Sequence, residues 1–173
     1  FVLHWIINYI MIGLVLGETQ IGNLIIKKLL YLKKKHIIVD ISKKKIFKKN
    51  KNSFSLSIGQ LGKAISILKK YNCKKIIFAG RVSRPNFSKT KFDFKALYYL
   101  PKIIRSSKRG DAFIIKTIIS IFNKEGFQII SSTYFNSELL LQKGNYTKIK
   151  PNEINKKDMI KGKYVIADLS QHD

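Results

Sequence analysis

Several residue types that build disulfide frameworks and common active sites are scarce in this sequence of 173 residues. It contains one cysteine, Cys73, three histidines and ten acidic residues. A single cysteine excludes an intramolecular disulfide and a multi-cysteine metal cluster, and it favours a reducing compartment. The acids show no paired spacing, and the histidines form no H-x-x-x-H or Ser/His/Asp arrangement. The sequence therefore indicates neither a zinc enzyme nor a triad hydrolase.

Arginine is also scarce, although the net charge is +24. A basic excess of this size is typical of proteins that bind nucleic acid or an anionic membrane. Proteins that read bases prefer arginine for its bidentate fork, however. We therefore interpret the lysines as solvated surface and expect no nucleic-acid partner; a basic α/β nucleic-acid-binding module is the alternative. Of 34 basic residues only four are arginine: Arg81, Arg84, Arg105 and Arg109.

Apolar runs and amphipathic segments alternate along the chain, which is typical of βαβ units with right-handed crossovers. The sequence thus predicts an α/β fold, a Rossmann-like parallel sheet flanked by helices. The expected strands are Met11 to Gly17, His36 to Ile41, Lys74 to Gly80 and Phe127 to Thr133. The expected helices are Thr19 to Lys34, Leu61 to Tyr71, Asp93 to Ser106 (interrupted by Pro101) and Asp111 to Lys124.

Composition also suggests how the chain divides. Residues 1–10 are uncharged and lack an initiating methionine, and we expect them to be a non-native or upstream extension. Residues 11–135 form the predicted Rossmann-like substrate-binding domain, in which the lysine-rich tract 42–53 is expected to be an exposed loop. Residues 136–173 have thin apolar content and are expected to be a linker to a second domain that this sequence lacks.

Ligands of open parallel sheets bind beyond the carboxyl ends of the strands. The first strand ends in Gly17, Glu18 and Thr19, and the third predicted strand ends in Gly80 and Arg81. Glycine lets a backbone approach a ligand closely, and arginine suits phosphate oxygens. Arg81 and the nearby Arg84 are equally compatible with an ordinary exposed surface.

The remaining polar candidates have structural explanations beside the functional ones. Asp40 ends the second strand, where a nucleotide-binding fold contacts ribose, but the first turn lacks the G-x-G-x-x-G fingerprint. We therefore interpret Asp40 as a structural strand-end acid and disfavour a dinucleotide-dependent oxidoreductase. Gln60, between Gly59 and Gly62, is a candidate ligand contact in a segment that packing also explains. Asp111 is a candidate site residue or simply a helix N-cap.

Six separated blocks resemble one known family in order and spacing. They are GQLGKAISILKK, FAGRVSRPNFS, LP, GDA, EGF and KPNE followed by Asp158. Together they resemble the LpxI-type UDP-2,3-diacylglucosamine pyrophosphatases of lipid A synthesis. The resemblance extends from about Met11 to the end of the chain.

This resemblance implies a hydrolase that uses Mg²⁺ to split UDP-2,3-diacylglucosamine into UMP and lipid X. It implies a cytoplasmic location, with peripheral contact to the inner membrane and a homodimer as open alternatives. The family's essential acid lies in a carboxyl-terminal domain, so the catalytic and metal residues are unknown here, and the truncated chain alone is expected to be inactive.

The resemblance also assigns substrate-binding positions. Gly17, Glu18 and Thr19 stand where the family has a glycine run, and Gly80 and Arg81 stand at its substrate-contacting strand end. Asp111 is the first acid of the family's Gly-Asp-Asp motif. The second acid of that motif is replaced here by Ala112. Five aromatics are expected either to border acyl chains or to lie in the core: Phe87, Phe92, Phe94, Tyr98 and Tyr99.

Overall fold

The computed structural model describes residues 11–82, 86, 88–142 and 144–169, which divide into two compact units at Leu139 and Leu140. The first unit alternates strands and helices. Its strands are β1 (Ile12–Leu16), β2 (His36–Asp40), β3 (Ser53–Ser55), β4 (Lys75–Ala79) and β5 (Gln128–Ile129). Its helices are α1 (Ile21–Tyr31), α2 (Leu61–Lys70), α3 (Phe94–Ser107) and α4 (Asp111–Lys124), followed by a 3-10 turn at Ser137–Leu139.

The five strands form one sheet in the order β3-β2-β1-β4-β5, and every neighbouring pair is parallel. In register, Ile12 of the central strand β1 lies beside His36 on one side and Lys75 on the other. All five residues of β1 are buried. A parallel sheet must be covered on both faces, which explains these continuous apolar runs. The predicted α/β fold with a parallel, Rossmann-like sheet is confirmed.

Side-chain alternation along the strands divides the core into two layers. Ile12, Leu14 and Leu16 of β1 pack with α1 on one face of the sheet. Val15 of β1 packs on the other face, in a cluster that includes residues of α2 and α4. Cys73 lies buried in this second layer, and burial raises the pKa of its thiol to about 12. The thiol is therefore protonated and unreactive at neutral pH.

The segment after β2 differs from the predicted exposed loop. Ser53–Ser55 forms the edge strand β3, and Phe47 is fully buried against α1. The buried carboxylate of Asp40 organises this segment: it accepts hydrogen bonds from the backbone and hydroxyl of Ser42 at 3.0 and 2.6 Å and from the Phe47 amide at 3.0 Å. Asp40 is therefore a structural acid, as expected, and its hydrogen bonds fold the lysine-rich tract inward.

Helix α3 is continuous, so the expected interruption at Pro101 is wrong. Proline removes one hydrogen bond to the carbonyl four residues earlier, but Pro101 is exposed and water can hydrate that carbonyl. The N-cap of α3 is Asp93, whose carboxylate accepts a hydrogen bond from the Ala96 amide at 2.8 Å. The same carboxylate accepts from the Lys63 amide at 3.0 Å, so Asp93 joins the first turns of α2 and α3.

Strand β5 is shorter than the predicted strand Phe127 to Thr133. Its pairing with β4 ends after Ile129, apart from an Ile130 amide that donates to Ile76 at 2.9 Å. The next residues hydrogen-bond locally, because the Ser131 hydroxyl contacts both the hydroxyl and the amide of Thr133. Such local hydrogen bonds compete with a strand ladder and divert the chain into a turn.

The second unit contains one helix, α5 (Glu153–Leu169), inside the predicted linker. Asn152 and Asn155 exchange side-chain to backbone hydrogen bonds of 2.8 and 3.1 Å, which cap its amino terminus reciprocally. None of its residues is buried. Across the described residues, every helix is too short or too polar to cross a membrane.

Replacing Asp40 should destabilise the first unit. Asp40→Ala leaves buried amides without acceptors, so we expect a loss of about 2–4 kcal/mol in the free energy of unfolding, measured by urea denaturation. Ser42→Ala removes one of the three hydrogen bonds to Asp40 and also the acceptor of the Ile46 amide, and it should cost about 1–2 kcal/mol. Equal costs for the two variants would contradict the role assigned to Asp40.

Glu125 should make stability depend on pH. Its carboxylate, 12% exposed, pairs with Lys69 of α2 and Lys95 of α3 at 2.6 Å each. Hydrogen bonds from Lys69 and then Lys95 lower its pKa from the ordinary 4.5. A depressed pKa contributes stability above the unfolded value and loses it as pH falls through the folded value.

We therefore expect Glu125→Gln to cost about 1 kcal/mol at neutral pH in urea melts at low salt. The difference from the wild-type chain should shrink as the pH falls below the ordinary glutamate pKa and disappear once it is below the lowered folded pKa. A difference that stays constant across this range would show that the ion pairs do not cause it.

Candidate functional site

The strand order creates a crevice between the carboxyl ends of β1 and β4. The chain runs outward from β1 through β2 to β3 and then returns to β4 on the other side of β1. Helices that follow the two central strands therefore leave in opposite directions from this point. Ligands of open α/β sheets bind at such a switch point. The sheet topology thus selects the residues after Leu16 and Ala79 as the candidate site.

The backbones after β1 and β4 touch at this edge. The Gly17 amide donates to the carbonyl of Ala79 at 2.9 Å, and the Glu18 amide donates to the carbonyl of Arg81 at 2.7 Å. A Cβ atom on Gly17 would lie 2.2 Å from the Arg81 carbonyl oxygen. No side chain fits there, so Gly17 is required by the contact between the two chain segments.

Gly80 faces the same contact from the other side. Its φ of +88° is a conformation that favours glycine, and a Cβ atom would lie 3.0 Å from Oγ1 of Thr19 and 3.1 Å from the carbonyl carbon of Gly17. Four of the residues selected from the sequence, Gly17, Thr19, Gly80 and Arg81, are therefore neighbours. The backbone contact explains both glycines without a ligand.

Thr19 and Arg81 supply the polar groups of this edge. Oγ1 of Thr19 is buried and has no hydrogen-bond partner within the described parts of the chain. Buried hydroxyls are normally paired, so this atom can still donate or accept a hydrogen bond. The side chain of Arg81 is exposed. Arg84 lies outside the described residues.

Glu18 is engaged in holding the fold. Its Oε1 accepts from the Lys43 amide at 2.8 Å, which ties the turn after β1 to the segment after β2. Sequence reasoning missed this neighbour because the tract 42–53 was expected to be an exposed loop. The Asp40-Ile41-Ser42 spacing, typical of a side-chain-capped turn, was the signal that predicts an inward fold there.

Gln60 lies at the start of α2, where its Oε1 accepts from the Ser57 amide at 2.8 Å. The glycines beside it are explained by packing. A Cβ atom on Gly59 would lie 2.1 Å from the Lys91 carbonyl oxygen, and one on Gly62 would lie 2.9 Å from Cβ of Lys95. This turn therefore supports the segment that leads into α3.

Asp111 is the first residue of α4 and is exposed, whereas Gly110 occupies the N-cap position with φ +115° and ψ 169°. The prediction that Asp111 is the N-cap is therefore wrong. Gly110 can adopt this conformation because it lacks a Cβ atom. The N-cap therefore lies one residue before Asp111. An acid in the first helical turn remains favourable through the helix dipole.

Acidic residues do not cluster into a metal site in the parts of the chain that the structure describes. No group of three or more His, Cys, Asp or Glu side chains is placed to hold an ion there. Asp168 belongs to α5 in the second unit, and His172 and Asp173 lie outside the described residues. The edge between β1 and β4 is therefore basic and hydroxyl-bearing, a character suited to binding an anion.

Gly80→Ala should be more destabilising than Gly126→Ala. Both glycines have nearly the same positive φ, +88° and +89°, but a Cβ atom on Gly126 would meet nothing within 4 Å. Gly126→Ala thus measures backbone strain alone, about 1–2 kcal/mol. We expect Gly80→Ala to cost at least about 1 kcal/mol more, measured by urea denaturation. Equal costs would show that the β1–β4 contact relaxes freely.

Two comparisons with known proteins show the family of this chain. Residues 11–139 match the family model described as LpxI N-terminal domain. The chain is 31% identical over 118 residues to the UDP-2,3-diacylglucosamine pyrophosphatase LpxI of Caulobacter vibrioides, an alignment that covers 68% of this chain and 42% of that protein. The chain thus spans less than half the length of this curated relative. Because the family match covers well over half of its residues, this chain belongs to the LpxI N-terminal domain family.

Proposed function

We propose that this chain is the substrate-binding part of a UDP-2,3-diacylglucosamine pyrophosphatase, a hydrolase of lipid A biosynthesis. The Caulobacter relative carries this activity in its name. The observation that carries the proposal is the exposed Arg81 at the switch point between β1 and β4, beside the unpaired hydroxyl of Thr19. Both groups suit the phosphates of a sugar nucleotide.

A pyrophosphate carries its negative charge on oxygens that accept several hydrogen bonds at once. In the proposal the guanidinium of Arg81 and the hydroxyl of Thr19 donate to these oxygens. The first turn of α1, which begins four residues after Gly17, adds backbone amides that have no acceptor inside the helix. Its N-cap residue Gln20 makes no side-chain capping bond, which leaves these amides available.

The other candidates have supporting roles in this proposal. Gly17 and Gly80 keep the β1–β4 edge narrow enough for one ligand to contact both strand ends. Glu18 positions the turn through Lys43, and Gln60 has an amide nitrogen left to donate after its oxygen accepts from Ser57. Asp111 is retained as a candidate polar contact to the sugar or the uridine.

The proposal includes cleavage to UMP and lipid X with Mg²⁺, but the described residues do not fit a magnesium site. They contain no cluster of oxygen ligands, and the carboxylates of Glu18 and Asp40 already accept hydrogen bonds from backbone amides. We derive no metal step and assign no catalytic residue in this chain. Its role is to bind and orient the substrate, at a cytoplasmic location with peripheral contact to the inner membrane.

Because the described residues include no metal-binding cluster of acids, we expect the 173-residue chain to bind substrate without turning it over. A uridine diphosphate titration by calorimetry should show binding that Arg81→Ala weakens at least about tenfold, the loss of one charge-assisted contact. Lys124→Ala, which removes an exposed cation from the last turn of α4, is the control and should bind like the wild-type chain.

Turnover is tested separately with UDP-2,3-diacylglucosamine and Mg²⁺. Full hydrolysis by this chain would contradict the assignment of the catalytic acid to another part of the protein. Binding that Arg81→Ala and Lys124→Ala weaken equally would remove Arg81 from the site and leave only general attraction to a basic protein.

A further inference from the structure

The outward face of α3 is apolar where a surface helix is normally polar. Phe94 is 93% exposed, Tyr98 77% and Leu97 49%, and Pro101 is exposed beside them. Their spacing places all four on one stripe of the helix. Ala96 is the one fully buried residue of α3. The helix therefore presents large apolar side chains to solvent along half of its length.

Basic side chains continue the same stripe toward the carboxyl end of α3. An open groove of about 460 Å³ runs along it, lined by Leu97, Leu100, Pro101, Ile104, Arg105 and Lys108. From Phe94 to Gly110 the sequence contains no acidic residue. Two of the four arginines of the chain lie in this stretch. The positive charge of this surface therefore differs in composition from the lysine-rich remainder of the chain.

A second depression, of about 330 Å³, adjoins the basic end of the stripe. Four cations line it, namely Lys102, Arg105, Arg109 and Lys116. The guanidinium of Arg109 stacks on the ring of Phe113 at 4.0 Å, which holds its charge beside an aromatic surface. Hydroxyls of Ser106 and Thr117, 2.7 Å apart, lie in the same depression. Cations and hydroxyls together suit a phosphate group.

We propose that this α3 surface, defined by Phe94, Leu97, Tyr98, Pro101, Arg105 and Arg109, docks on an anionic lipid bilayer. Aromatic side chains favour the boundary between head groups and acyl chains. The basic end of the stripe contacts lipid phosphates. A nucleic acid would use the cations but leave the apolar half exposed to water, so a lipid surface matches both halves. The proposal names the surface that makes the membrane contact proposed above; it rests on that contact and not on the pyrophosphatase activity.

The apolar half is tested by sedimentation with vesicles of phosphatidylcholine containing phosphatidylglycerol. Phe94→Ser combined with Tyr98→Ser should weaken binding at least about tenfold, because two exposed aromatics no longer enter the lipid. The control is Leu30→Ser with Tyr31→Ser, which removes side chains that are 61% and 78% exposed on α1. It should bind like the wild-type chain. Equal binding by both variants overturns the proposal.

The basic half is tested at constant net charge. Arg105→Gln with Arg109→Gln should weaken binding more than Lys27→Gln with Lys44→Gln, which removes two exposed lysines elsewhere. Equal weakening would mean that only the overall charge of the chain attracts the vesicles, and it would overturn the proposal. All variants share the uncharged segment 1–10, so its own affinity for lipid cancels in each comparison.

Insertion of the side chain at position 94 into lipid can be measured by tryptophan fluorescence. Trp5 is the one tryptophan of the sequence. In a Trp5→Phe background, Phe94→Trp should shift its fluorescence to shorter wavelength on anionic vesicles and not on pure phosphatidylcholine, whereas Tyr31→Trp should stay unchanged. Two results would overturn the proposal: no shift at position 94, or a shift without vesicles that grows with protein concentration, which would identify a second copy as the partner.

Discussion

The backbone contact between Gly17 and Gly80 is the constraint on which the candidate site depends. Gly17 and Glu18 donate hydrogen bonds across the end of the sheet to the carbonyls of Ala79 and Arg81, at distances that leave no room for a Cβ atom. Strand β1 is buried on both faces, so it cannot move aside to relieve crowding. This contact brings residues Thr19 and Arg81 to the same edge of the sheet, at the topological switch point.

The acids near this edge are used to hold the fold. Asp40 turns its carboxylate inward to the amides of Ser42 and Phe47, and Glu18 accepts from the amide of Lys43. Asp40 therefore satisfies backbone donors that would otherwise be costly to bury, whereas the exposed bond to Glu18 ties two turns together. What remains for a ligand is cationic and hydroxyl-bearing. Groups of this kind suit a phosphate but not proton transfer, which is consistent with the substrate-holding role proposed for this chain.

Helix α3 connects this fold to a second kind of surface. Its inner side is held by Asp93, which caps it and joins it to α2, and by the ion pair between Lys95 and Glu125. Its outer side exposes Phe94 and Tyr98, for which the sequence left both a core and an acyl-chain role open. A rigidly held helix can present aromatic side chains in a fixed arrangement, so the packing beneath α3 determines what its outer face offers to a membrane.

Periodicity alone determined the four strands β1, β2, β4 and β5, the helices between them, the parallel sheet and the strand ends to inspect, because burial on both faces leaves continuous apolar runs. Family resemblance added the substrate class. Only the tertiary structure decided that Gly17 and Gly80 meet, that Ser53–Ser55 joins the sheet, and that Gly110 rather than Asp111 caps α4. These features depend on contacts between residues far apart in the sequence or on a local backbone conformation, neither of which a hydrophobic pattern records.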